Sequence, residues 1–158
     1  MDVRVRCIGY HNEKLVMIHR ISPKRPDGYY IFPGGGVDPG ESPEQACVRE
    51  MLEETSLVVA PMKLLGIQFH HDSNGDHCQM YYYITIISGE FGPGTGVEYT
   101  PEYAQTVGGT HDPVLIAPED LSALNLVLPA GIDDVIAEHG GEISDIPFFV
   151  IDNLPKIC

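Results

Sequence analysis

Apolar positions fall into short runs separated by polar tips, and the runs predict a chain built mostly from strands with one well-marked helix. Val, Ile and Leu dominate residues 3–10 and 14–21 on either side of His11-Asn12-Glu13, which predicts an antiparallel hairpin. A loop over residues 22–28 and a short apolar strand over 29–32 follow, and Pro33 and the glycines after it end that strand. The next helix has a defined start, with Ser42 as N-cap, Pro43 at the first helical position and Gln45 closing a capping box. At about 100° per residue, Glu50, Glu53 and Glu54 share one arc, while Val48, Met51 and Leu52 lie roughly opposite and are expected to face the core.

Beyond the helix, residues 57–59 form a small apolar piece. Residues 63–70 and 77–88 read as strands joined through Asn74-Gly75, a strong hairpin signal. Alternation turns Tyr82 to the face opposite Tyr81 and Tyr83. Residues 88–109 hold six glycines and two prolines with little periodicity, and are read as a long mobile loop. A strand over 112–117, short helical pieces at 118–121 and 131–139, and a terminal strand or dimer contact at 146–151 complete the chain.

Composition narrows the possible partners. The length of 158 residues suits one domain, and 43% hydrophobic content suffices for a core. A formal charge of −14, from nine Lys and Arg against 23 Asp and Glu, argues against a nucleic-acid polymer or an anionic membrane as partner. The start of the chain lacks the pattern of a signal peptide, which favours a cytoplasmic protein. Cys7, Cys47, Cys78 and Cys158 are widely spaced and suggest neither a zinc site nor a disulfide framework. With so few bases, Arg20, Lys24 and Arg25 stand out just before the glycines, either as a patch receiving phosphates or as a solvated connection.

The candidate chemistry lies in residues 34–57. Three like charges at i, i+3 and i+4 repel, so the Glu50, Glu53 and Glu54 face calls for Arg49 or a bound divalent cation, and carboxylates suit Mg²⁺ or Mn²⁺. Glu98 and Glu102 lie within reach on the later loop, each also readable as a solvated acid. His70, His71, Asp72, Asp76 and His77 invite a metal reading, but position 77 is His where a calcium loop needs Gly, and no specific metal is assigned there. No Ser or Cys stands in a nucleophile setting.

Gly35, five residues, Glu41, seven residues, then Arg49-Glu50-Met51-Leu52-Glu53-Glu54-Thr55-Ser56-Leu57 resembles the Nudix box of the Nudix hydrolase family, departing only at Ser56, where the pattern has Gly. The resemblance implies an α/β (α+β) fold, an α/β/α sandwich with a mixed β-sheet, over a single domain of residues 1–158. It implies a pyrophosphohydrolase dependent on Mg²⁺ or Mn²⁺ that cleaves a nucleoside diphosphate linked to another group, a nucleoside triphosphate or nucleotide-sugar type of small molecule. The alternative is a nucleotide-binding module of the same fold without turnover. By transfer of positions, Glu50, Glu53, Glu54 and the Gly35 carbonyl would hold metal, Arg49 would orient the carboxylates and Glu41 would fix the loop. Glu53 is the preferred general base, or Glu50 through a metal-bound water, with Glu98 or Glu102 in reserve. Arg20, Arg25 and Tyr30 are expected at the substrate, with Tyr29 and Tyr81 to Tyr83 as further stacking candidates, and the protein is expected to be a monomer or homodimer.

Overall fold

A computed structural model describes residues 1–126, 132–139 and 142–154. Among these residues, two sheets and three α-helices make up a mixed α+β fold, as expected. The first sheet is mixed and five-stranded, in the order β5(Gly34–Gly36), β1(Asp2–Ile8), β7(Gly75–Gly89), β6(Leu57–Asp72), β9(Phe149–Asn153). In the second, β3(Lys14–Ser22) pairs with β4(Arg25–Ile31), with the two-residue β2(Tyr10–His11) and with β8(Thr110–Ile116), all antiparallel. The helices are α1(Pro43–Thr55), α2(Pro101–Thr106) and α3(Ile132–Glu138), with 3-10 turns at Val97–Tyr99, Pro118–Ala123 and Ile143–Asp145. No helix among the described residues is long and apolar enough to cross a membrane.

The expected hairpin of residues 3–10 and 14–21 shrinks to its tip. Only Tyr10 and His11 pair back onto β3, while β1 runs parallel to β7. Both faces of β1 are buried, Val5 and Cys7 on one side and Ile8 on the other, and a strand buried on two faces belongs in a sheet interior. Gly9 marks the exit, because a β-carbon there would sit 2.4 Å from the Ile84 side chain. Residues 22–28 are likewise not a loop throughout: Ser22 pairs with Arg25, and β4 begins there. The glycines after Pro33 form β5 along the edge of β1, and residues 57–59 open the 16-residue β6.

The β6–β7 hairpin forms with Asp72 opposite Gly75, so Ser73 and Asn74 are its central residues. Tyr81 and Tyr82 are both buried in different clusters. Tyr82 packs with Val5, Cys7, Ala46, Cys47 and Met51 beneath α1, and Tyr81 with Ile8, Leu15, Phe32, Leu65 and the residues around α3. Of the cysteines, Cys7, Cys47 and Cys78 are free thiols, and Cys158 lies outside the described residues. Gly131, at the start of the expected 131–139 helix, also lies outside them, α3 covers Ile132–Glu138, and His139 follows in a turn.

Two expectations around α1 are corrected. The helix starts as predicted, with Ser42 accepting from the Gln45 N–H and Gln45 accepting from the Ser42 N–H. Its buried side, however, is Ala46, Cys47, Glu50, Met51, Glu54 and Thr55, while Val48 and Leu52 are exposed. The helix is rotated so that two carboxylates point inward, against the glycine backbone of β5, which has room for them. Residues 88–109 are not a free loop either. They contain a 3-10 turn and α2, and they supply hydrogen bonds to three of the last four carbonyls of α1, Gly96 N–H to Glu53, the Tyr99 hydroxyl to Glu54 and Gly92 N–H to Thr55, while the Leu52 carbonyl accepts from the helix's own cap, the Ser56 N–H. A helix end needs such partners, and this segment is their main source.

Candidate active site

The glycines of β5 set the geometry. A β-carbon on Gly35 would lie 2.3 Å from Glu50 Oε1, so the Glu50 carboxylate occupies the space a side chain would fill. Arg49 gathers the acidic residues around this point. Its guanidinium donates to both Glu41 oxygens, to Glu50 Oε1 at 2.8 Å, to the Gly36 carbonyl at 2.8 Å and to Glu53 Oε2 at 3.4 Å. Glu41 in turn accepts from the Asp38 N–H, which ties the loop before the helix to the helix itself. These contacts hold the Glu41 carboxyl below its ordinary range, chiefly through Arg49.

Glu50 and Glu54 behave differently because they are buried. Burial pushes Glu50 up to about 7, opposed by the Arg49 hydrogen bond and reinforced by the charge of Glu54. Glu54 rises to about 8 for the same reason, only partly relieved by the Arg6 charge and a backbone hydrogen bond from Gly34. Glu53 is over a third exposed at its side chain and faces the solvent side of the cluster.

A third acid and a histidine complete the arrangement. Ligand atoms of Glu54, Glu98 and His111 lie within 4.8 Å of one another, and His111 Nε2 stands 3.5 Å from Glu54 Oε2. That separation would suit an ion pair, but burial acts on both partners. It drives His111 down to about 4 and Glu54 up to about 8, so between those values neither is charged. Glu54 Oε2, Glu98 Oε2 and both ring nitrogens of His111 are buried without a hydrogen-bond partner. Buried polar atoms are nearly always paired, and four orphans around one small space fit a bound cation. These described residues therefore contain an acidic and imidazole group able to hold a divalent metal.

The expected substrate residues divide. Arg20 lies directly across the ladder from His111 and from Tyr29, donates to the Tyr103 hydroxyl and contributes to the depressed His111 pKa. Arg25 stacks over the Tyr29 ring at 4.4 Å. Tyr30 is opposite His19, on the other face of β4 from Tyr29, and packs against the core. Glu102 is exposed on α2, outside the Glu54, Glu98 and His111 group. Arg6, His111 and Tyr99 escape sequence reasoning, since their places depend on strand pairings far apart in the chain.

Known proteins resemble this chain in sequence and in fold. The NUDIX domain model matches residues 2–130. Over 83 residues, 52% of the chain, it is 32% identical to diphosphoinositol polyphosphate phosphohydrolase NUDT4B of Homo sapiens and 30% identical to diphosphoinositol polyphosphate phosphohydrolase 3-alpha of Mus musculus, covering 45% and 50% of those proteins. The matched stretch thus spans about half the length of these curated relatives. An ADP-ribose pyrophosphatase of Streptococcus suis superposes with a TM-score of 0.61 at 16% identity, covering 96% of this chain and 98% of that one. A NUDIX hydrolase from Nitrosomonas europaea gives 0.69 at 20% identity, covering 98% and 79%. The likeness to these structures is one of fold, and the domain match takes in well over half of the sequence: the chain belongs to the Nudix hydrolase family.

Proposed function

We propose that the protein is a metal-dependent pyrophosphohydrolase that cleaves a phosphoanhydride in a nucleoside diphosphate linked to another group, with Mg²⁺ or Mn²⁺ as cofactor. The observation that carries the reading is the set of buried, unpartnered acceptors at Glu54, Glu98 and His111 beside the raised carboxyl of Glu50. Such groups are unfavourable in a protein interior without a cation. Glu54, Glu98 and His111 would hold the metal together with Glu50, with the Gly35 carbonyl and Glu53 at its edge. The bound ion would neutralise charge on the phosphate oxygens.

The chain's own residues do the rest. Arg49 fixes the Glu50 and Glu53 carboxylates through charge-assisted hydrogen bonds. Glu53, the most exposed of the three helix acids, would orient an attacking water and take its proton. Arg20 and Arg25 lie against the Tyr29 ring, a cationic and aromatic group that would suit a phosphate and a base. The relatives named for diphosphoinositol polyphosphates suggest a second substrate class. With nine Lys and Arg in a chain of net charge −14, a nucleoside diphosphate derivative suits the site better than a densely phosphorylated ring.

A hydrolysis screen over nucleotides, nucleotide sugars and diphosphoinositol polyphosphates, with excess Mg²⁺ and product identification, tests the proposal. Cleavage between two phosphorus atoms is the expected result, and Glu53→Gln should lower turnover by about two orders of magnitude while leaving the fold intact. Metal-dependent binding of a nucleotide without any cleavage would make the protein a binding module instead. Near-normal turnover in E53Q would remove Glu53 from the role of base.

A further inference from the structure

At the opposite end of β7 from the helix, a second constellation has the form of a built metal site. We propose that His70, Asp72 and His77 bind a divalent ion with a preference for nitrogen ligands, Zn²⁺ above all, at the tip of the β6–β7 hairpin. The site shares no residue with the acidic cluster and does not depend on the proposed hydrolysis.

Strand geometry brings the three side chains together. His70 and His77 are directly opposite each other across the ladder, and Asp72 lies two residues beyond His70, on the same face. His71 and Asp76 pair with each other at 2.8 Å, consistent with the other face. A ligand atom from each of His70, Asp72 and His77 falls within 4.8 Å of the other two. His77 Nε2 and Asp72 Oδ1 are 2.9 Å apart, slightly less than the edge of about 3.3 Å set by tetrahedral zinc bonds of roughly 2.0–2.1 Å. A small opening of the pair admits the ion.

The surrounding contacts are those a histidine ligand requires. His77 is buried, and its Nδ1 faces Asp2 Oδ2 at 3.3 Å. Donation there fixes the tautomer that leaves Nε2 free, the carboxylate–histidine–metal arrangement of zinc sites. Asp2 is itself held by Arg4 Nε at 2.7 Å, and Asp72 Oδ1 by the Asn74 N–H at 2.7 Å. His70 stacks on His77 with ring centroids 4.8 Å apart, and its Nδ1 is buried without a partner. Two imidazoles and one carboxylate suit zinc rather than Mg²⁺ or Ca²⁺, which select oxygen. Three protein ligands leave a fourth position for water. The ion would tie the first residues of β1 to the hairpin tip.

Zn²⁺ titration followed by calorimetry, on the full chain in excess Mg²⁺, reads the site directly, and Co²⁺ in place of Zn²⁺ reports tetrahedral geometry by visible absorption. One equivalent of zinc is expected to bind. His70→Ala and Asp72→Asn, both at accessible positions and checked for fold by circular dichroism, should weaken binding about ten-fold or more, and Asp2→Asn by about 10–100-fold as an outer partner. Glu54→Gln should leave it unchanged. Binding that persists in H70A and D72N, or that is lost in E54Q, places the ion elsewhere and overturns the proposal, as does the absence of zinc uptake.

Discussion

Ser56 stands at φ 62° and ψ 12°, the left-handed conformation that usually calls for glycine. The strain of such a position is roughly 1–2 kcal/mol for a residue with a β-carbon. Two contacts hold it here. The Ser56 N–H reaches the Leu52 carbonyl at 3.1 Å, and the hydroxyl donates to the Pro93 carbonyl at 2.9 Å. Serine thus closes the helix in the glycine conformation and adds a bond to the next segment that glycine cannot make. Replacement by glycine relieves the strain and loses a hydrogen bond of about 0.5–1.5 kcal/mol, so Ser56→Gly should alter stability by little. Ser56→Ala keeps the strain and loses the bond, and should destabilise by about 1 kcal/mol. Chemical denaturation of the two variants checks this: no loss in S56A would show that the hydroxyl contributes nothing, and equal losses in both would show that the left-handed conformation carries no strain.

At the level of elements, α1 and the segment after β7 act as one unit. Gly94 lies where a β-carbon would meet the Glu53 carbonyl at 2.2 Å and the Leu52 carbonyl at 2.4 Å. Backbone atoms of a helix cannot yield to it, so Gly94→Ala should lift the segment from the helix end and carry Glu98 away from Glu54. In hydrogen exchange, the Gly92 and Gly96 amides should be protected in the wild type and lose that protection in G94A, with metal affinity falling alongside. Unchanged protection would mean that the segment is held by other contacts. This docking also explains what the sequence conceals. The start of α1 is legible because caps are made by particular side chains, Ser42 and Gln45, at a fixed spacing. Its end is closed mainly by backbone N–H groups that every residue except proline carries, with the Tyr99 hydroxyl as the one side-chain donor, so residues 88–109 carry no capping pattern to read. Similarly, the β6–β7 hairpin is local and readable, whereas β1 pairs with a strand some 75 residues away, and its own pattern fits a hairpin equally well. The box carboxylates are legible as a motif. That Glu50 and Glu54 are the buried pair depends on the rotation of the helix against β5, and that His111 joins them depends on β8.

Across the whole molecule, the buried acids make stability depend on pH and on metal together. Burial holds Glu50 and Glu54 at about 7 and about 8 in the folded state, above the ordinary carboxyl value of 4.5. A group raised in this way favours the folded state fully below its unfolded pKa, and that contribution is lost as pH rises through the folded value. His111 has the opposite sense. Its folded value of about 4 lies below the ordinary 6.5, so its contribution is present above 6.5 and is lost as pH falls toward 4. Two carboxyls outweigh one imidazole on the alkaline side, where the net charge of −14 adds self-repulsion. In a chelator, the melting temperature should therefore decline as pH rises from about 6 to 9. A divalent cation compensates the same charges once they form, so the rise in melting temperature on adding Mg²⁺ should be small near pH 5 and grow steadily through pH 8. Thermal melts at matched ionic strength, with and without Mg²⁺, separate this from simple screening, because Na⁺ at equal ionic strength should recover only part of the gain. Glu54→Gln, which removes the more deeply buried charge, should flatten the alkaline decline in chelator and shrink the Mg²⁺ effect. A steep decline that survives in E54Q would assign the pH dependence to charges outside the cluster.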